Sequence, residues 1–225
     1  MSDTKEKDEV STKVNSFVEN NKKVFLIVGI VLVALLVIYI VGFAISNNAK
    51  EKNLATIDSI TYALVDNSMS ADEAELTTRR NKALEDLQPL VGKSGIVGAR
   101  ANMLAAEISY QLENKADAAA YWTATASKAK KTYIEPIAYF NLAVVNEDLG
   151  NMDEAIANYK LAADDVDFIL NTHAKFNYAR CLETKGDYEG AVAAYKELFD
   201  TNPNDSWAQL GKTRILALET EGKVE

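Results

Sequence analysis

A single histidine, His173, and a single cysteine, Cys181, are the first residues whose types could do chemistry. A thiolate nucleophile and its base must approach to about 3 Å to share a proton. Their spacing along a helix amounts to about 12 Å of rise, so they do not form such a pair. Cys181 is instead expected as a small buried residue. A lone cysteine also rules out an intramolecular disulfide and a multi-cysteine zinc site. Three acidic runs invite a cation: Asp72, Glu73 and Glu75; Asp164, Asp165 and Asp167; Asn202, Asn204 and Asp205. None has the spacing of a calcium loop with its central glycine and closing glutamate. Acidic residues ahead of helices are expected to be caps and solvated faces. Gly92, Gly95 and Gly98 follow a helical segment rather than a strand, and read as a turn. No catalytic, metal or cofactor residue is assigned, and the chain is expected not to be an enzyme.

The elements behind these residues are helical. Alanine and leucine are frequent, only three prolines occur, and β-branched runs are scarce beyond residue 45. Residues 24–45 are the exception in character: an apolar run with no charge. At 1.5 Å per residue it measures about 33 Å, enough to cross a hydrocarbon core of about 30 Å. It is longer than the apolar core of a cleaved signal, and is read as a transmembrane helix. Lys22 and Lys23 abut its N-terminal end, which places residues 1–23 in the cytoplasm and the remainder outside it. Val10, Val14, Phe17 and Val18 would share one face of a preceding helix, free to meet a membrane or a protein.

The formal net charge of −9 arises entirely beyond the apolar run, because residues 1–23 balance five lysines against five acids. A domain this acidic repels a phosphate backbone, which excludes nucleic acid as a partner.

Beyond the span a repeat is visible. Asn114, Asp117 and Ala119 recur as Gly150, Asp153 and Ala155, and again as Gly186, Glu189 and Ala191. Thr123, Tyr159 and Tyr195 follow at matching positions, then Ala126, Ala162 and Leu198. Phe140, Asn141 and Ala143 return as Phe176, Asn177 and Ala179. The unit is a helix, a turn at a glycine and a second helix, with alanines letting the two approach. Asp153 and Glu189 would favour the start of the second helix. One such pair cannot bury its apolar faces alone, so the pairs must stack. The best repeats run over 136–169 and 172–205, with a capping helix over 206–220. Weaker pairs precede them, over 47–67 with 72–91 and over 95–113 with 116–131.

These residues resemble the tetratricopeptide repeat. Its signature is matched by Tyr139, Leu142, Ala143, Gly150, Ala155, Tyr159 and Ala162, and in the next unit by Ala179, Gly186, Ala191, Tyr195 and Pro203. Trp207, Leu210 and Gly211 restore the opening signature in the capping helix. The proline of the first unit is replaced by Asp167, and Lys175 stands where an aromatic is usual. The resemblance implies an all-α fold, with a single transmembrane helix and then a tetratricopeptide-like α-solenoid of about four helix pairs plus a cap, over residues 46–225. It also implies protein or peptide partners, met by the first helix of each unit. The positions so implied are Ile137, Phe140, Val144 and Glu147, then His173, Phe176, Arg180 and Glu183. Phe140 and Phe176 either line an apolar groove or fill the core between repeats. The lysine and asparagine pattern with which some members clamp a terminal carboxylate is absent.

The whole layout is similar to that of the bacterial YfgM-like proteins, ancillary subunits of the inner-membrane protein translocon. Val14, Phe17, Asn21 and Lys22 carry the local match before the span. The resemblance implies an adaptor in the cell inner membrane whose repeat domain lies in the periplasm, where translocon subunits, chaperones or secreted clients would be its partners. The alternative is a self-associating anchor or a scaffold for envelope assembly or division, with the chain as a homo-oligomer.

Overall fold

The computed structural model describes residues 12, 13 and 15–224, and every regular element among them is helical. Two residues of the expected amphipathic face, Val10 and Val14, lie outside the described residues. Phe17 and Val18 are exposed on a helical stretch, and Phe17 packs edge-on against Phe25 with ring centroids 6.1 Å apart.

Among the described residues nine longer helices follow: α1 Lys22–Val65, α2 Glu73–Val91, α3 Gly95–Gln111, α4 Lys115–Lys128, α5 Ile134–Asp148, α6 Met152–Ala163, α7 Asn171–Lys185, α8 Tyr188–Thr201 and α9 Ser206–Thr220. The chain forms two units, with the division between Lys52 and Asn53 inside α1. In the first unit the apolar residues of α1 are uniformly exposed, Leu32, Leu36 and Ile38 among them. Its most apolar window has a mean hydropathy of 3.4 with none of it buried, so this helix is long and apolar enough to cross a membrane.

The second unit is a stack of helix pairs. α3 pairs with α4, α5 with α6 and α7 with α8, and α9 closes the stack against α8 and α7; the end of α1 joins less closely, through Ile57 and Ile60 in a core shared with α2 and α3. Close approach is achieved by alanines with no exposed surface, such as Ala105 and Ala118 in the second pair and Ala143 and Ala155 in the third. Each turn within a pair needs one residue in the left-handed region. Gly150 (φ +77°) and Gly186 (φ +87°) supply it at no steric cost. In both, the next amide reaches back to a carbonyl of the last helical turn, Asn151 to Asn146 and Asp187 to Leu182.

The acidic runs act at helix ends. Asp72 accepts a hydrogen bond from the amide of Glu75, and Asp205 from those of Trp207 and Ala208. Asp187, rather than Glu189, caps α8 by accepting from Gly190. Glu189 and Asp153 lie in first turns, where their charge suits the helix dipole. The Asp164 to Asp167 run belongs to the loop joining α6 to α7, where the Asp167 amide donates to Asp165.

Gly95 takes φ +59° in the turn before α3. Gly98 is needed for close approach instead, because a Cβ there would stand 1.8 Å from the carbonyl oxygen of Lys93. That carbonyl therefore lies directly over the first turn of α3, where the Lys128 ammonium also donates to it at 2.9 Å.

Candidate interaction surface

The register of the second pair differs from the sequence expectation by one residue. Its left-handed turn residue is Glu113 (φ 60°), not Asn114, and the Asn114 amide reaches back to Ser109 as Asn151 does to Asn146. It follows that Ala118, Trp122 and Thr125 stand where Ala155, Tyr159 and Ala162 stand in the next unit. All three are buried, whereas Ala119 and Thr123 are not. The run of alanines from 118 to 120 made neighbouring registers look alike, and Trp122 was the available signal.

With this register, the inward positions of α3 are Met103, Glu107 and Tyr110, in line with Phe140, Val144 and Glu147 of α5 and with Phe176, Arg180 and Glu183 of α7. Glu107 and Tyr110 were missed by sequence reasoning because inward positions were assigned only in the two best repeats.

Phe140 and Phe176 are both buried. Phe140 touches Tyr159, Phe168 and His173, with centroids 5.5, 6.0 and 5.1 Å away. Phe176 packs on Tyr195 at 5.5 Å and Trp207 at 5.3 Å. Each therefore fills the core between one repeat and the next and does not line an open groove. His173 is half-buried, and its ring stacks on Trp207 at 3.8 Å with planes 6° apart. Burial, reinforced by the nearby Arg180, lowers its pKa. Cys181 is fully buried, and burial pushes its thiol up to about 12, far from thiolate reactivity.

Glu147, Arg180 and Glu183 belong to a ladder. The Tyr159 hydroxyl donates to Glu147 at 2.7 Å, and Arg180, one repeat on, donates to the same oxygen at 2.7 Å. The arrangement returns as Tyr195 donating to Glu183 at 3.1 Å, with Arg214 paired to Glu183 from α9. Burial would raise the Glu147 carboxyl, but the bonds from Arg180 and Tyr159 outweigh it and hold its pKa below the usual range. Burial and the same carboxylate raise the pKa of Tyr159. These side chains are committed to one another and tie successive repeats.

The ladder is interrupted at α5, where Val144 occupies the arginine position. The surface left open there has two hollows. The first, of about 470 Å³, lies among α1, α2 and α3, with Leu64, Val65, Leu76, Leu104 and Ile108 in its lining. The second, of about 140 Å³, lies between α3 and α5, with Tyr110, Trp122, Asn141 and Val144. Glu107 and Gln111 border both. Ile137, half-buried, lines a third hollow with Tyr133, Pro136 and Phe168.

A family described as tetratricopeptide repeat-like domain matches residues 16–167, and one described as tetratricopeptide repeat matches residues 172–205. A "TPR repeat-containing protein" of Treponema pallidum (strain Nichols) is 31% identical over 155 residues, covering 69% of this chain. The chain spans 63% of the length of that relative. The crystal structure of MamA protein is similar at 18% identity and a TM-score of 0.47, over 69% of this chain and 87% of that one. The family match covers more than half of the chain, and the stacked pairs, alanine seams and left-handed turns agree with it: the chain belongs to the tetratricopeptide repeat-like domain family.

Proposed function

We infer that the protein is a membrane-tethered adaptor of the cell envelope that binds other proteins through its repeat domain. In this reading residues 1–23 are cytoplasmic, 24–45 cross the inner membrane and 46–225 carry the repeats in the periplasm. The observation that carries it is α1, which holds the uncharged apolar run and, further along, Ile57 and Ile60 of the repeat core. A helix this apolar and unburied calls for a lipid environment, and Lys22 and Lys23 favour an inside N-terminus. Tetratricopeptide repeats are typically non-enzymatic scaffolds, and Tyr110, Val144 and Glu107 offer accessible side chains for a partner. Similarity in layout to the YfgM-like proteins favours a place beside the translocon, assisting secreted chains or their chaperones.

The test is photo-crosslinking in intact membranes from a reactive residue at Val144, which borders a hollow where Phe176 does not. Capture of translocon subunits, chaperones or secretory chains is the expected result. Capture of the chain by itself alone would replace this reading with a self-associating anchor or scaffold. Topology is checked with Ser206→Cys, since native Cys181 is buried. Labelling by a membrane-impermeant thiol reagent in spheroplasts is expected, and labelling only after lysis would reverse the orientation.

A further inference from the structure

The two hollows that share Glu107 and Gln111 combine bare apolar side chains with a carboxylate that has no charged partner among the described residues. Apolar side chains at the rim are unusually bare: Val65 is 61% exposed and Met69 fully so. Methionine at such a rim adapts its shape to what it meets. Exposed apolar residues grouped around a concavity mark a surface that is covered in use.

Charge decides what covers it. Arg80 lines the first hollow, but it is tied to Glu73 at 2.6 Å and to Gln111 at 3.0 Å. Asp148, beside the second, accepts from Tyr110 at 2.6 Å and lies 3.7 Å from Lys115. Glu107 differs, for no side-chain hydrogen bond or ion pair among the described residues involves its carboxylate. The walls of the groove raise its pKa by desolvation, and no cation among the described residues offsets it. In the two following repeats the carboxylates of the same surface, Glu147 and Glu183, are neutralised by Arg180 and Arg214. In α5 the arginine position is held by Val144, which lines the second hollow beside Glu107 and offers it no charge. A carboxylate set between apolar walls favours a ligand that brings a cation together with apolar surface.

We propose that this groove binds a linear segment of a partner protein in which a lysine or arginine is flanked by apolar side chains, the cation meeting Glu107 and the apolar groups filling the hollow between Leu64 and Leu104. The segment brings from outside a cation for a carboxylate of this surface, as Arg180 and Arg214 bring one from within to Glu147 and Glu183. The proposal rests on the adaptor reading and narrows it to a site and a ligand chemistry.

The test uses the full chain in lipid nanodiscs and a displayed library of random twelve-residue peptides, selected in parallel on the native protein and on Glu107→Lys. The native pool is expected to be rich in Lys or Arg beside Leu, Ile, Met or Phe, and the Glu107→Lys pool to exchange those cations for Asp or Glu. A synthetic peptide from the native pool is expected to bind Glu107→Gln about tenfold more weakly, the scale of one charge-assisted hydrogen bond. Glu107 stands at the surface and makes no internal contact of charge, so matching circular dichroism and melting of the variants controls for folding. Equal basic content in both pools overturns the proposal. So does failure to enrich any peptide, the result expected if lipid or a second copy of the chain filled the groove. Crosslinking from Val144 in membranes separates the two levels: envelope partners captured despite such a result would leave the adaptor reading standing and remove only this site.

Discussion

From Ile134 to Thr220 each repeat is bound to the next by a buried aromatic whose hydroxyl holds a glutamate, and that glutamate holds an arginine of the following repeat. From Asn53 to Lys128 the same surface has no such chain of charges. Trp122 replaces the tyrosine and Tyr110 the glutamate it would hold, Glu113 replaces the turn glycine, and the helices are fitted by alanines and by the bare backbone at Gly98. One half has used its polar groups on itself. The other keeps Glu107 and the first hollow in reserve, with the second hollow shared between α3 and α5. Regular repeats thus have the charges of this surface paired with one another, and the degenerate ones leave Glu107 to a partner. In a stack where each pair touches only its neighbours, the two halves can differ in this way without either losing its fold.

The strongest way to break this contrast is Gly98→Ala. Its new Cβ would meet backbone, which cannot swing aside as a side chain can. A loss of about 4 kcal/mol or more is expected, confined to α1–α4. Hydrogen exchange should show α2, α3 and α4 losing protection while α7 and α8 keep theirs; uniform loss would mean that the halves are one cooperative unit. Next come the aromatic seams. Tyr159→Ala and Trp122→Ala should each cost about 3–5 kcal/mol in denaturant unfolding. Only for the tyrosine does removal of the hydroxyl alone matter, with Tyr159→Phe costing about 1–2 kcal/mol because Glu147 loses a donor. A neutral Tyr159→Phe would show that the ladder is ornamental.

Acid should act on the regular half. His173 is the one histidine of the sequence, and its folded pKa lies below the ordinary histidine value of 6.5. The unfolded chain therefore takes up its proton first. Stability is full above about 6.5 and falls as pH drops from there towards the lowered folded value. His173→Asn should flatten that part of the stability profile, and an unchanged slope would exclude the His173–Trp207 stack as its origin. The smallest effect expected is a gain. Glu113→Gly relieves a left-handed residue that carries a side chain and should stabilise the second pair by about 0.5–1 kcal/mol. The reverse change, Gly150→Ala, should cost about as much.

The repeat in the regular half was legible because a glycine, an alanine and a tyrosine recur at one spacing, and each is demanded by local geometry: a left-handed turn, a close helix approach, a filled seam. The second pair was legible only as to its existence. Three successive alanines fit any of three registers, and only burial separates Ala118 from Ala119. The inward-facing positions were placed by analogy on α5 and α7, and there the structure spends most of them internally, leaving Ile137 and Val144 at hollows. Phe140 and Phe176 are packed between repeats, and Glu147, Arg180 and Glu183 are paired.

What the amino-acid order alone determined is what depends on neighbours within a turn or two of helix. It set the apolar run of α1, the helix boundaries at Gly150 and Gly186, the capping roles of Asp72 and Asp205, and the helical class of the whole. What only the tertiary structure decided is which charges meet. Glu147 and Arg180 are brought together across two helices and a turn, as are Glu183 and Arg214, so their pairing depends on how one repeat is rotated on the next. Glu107 has no such partner among the described residues, and the neighbouring helix presents the apolar Val144 beside it.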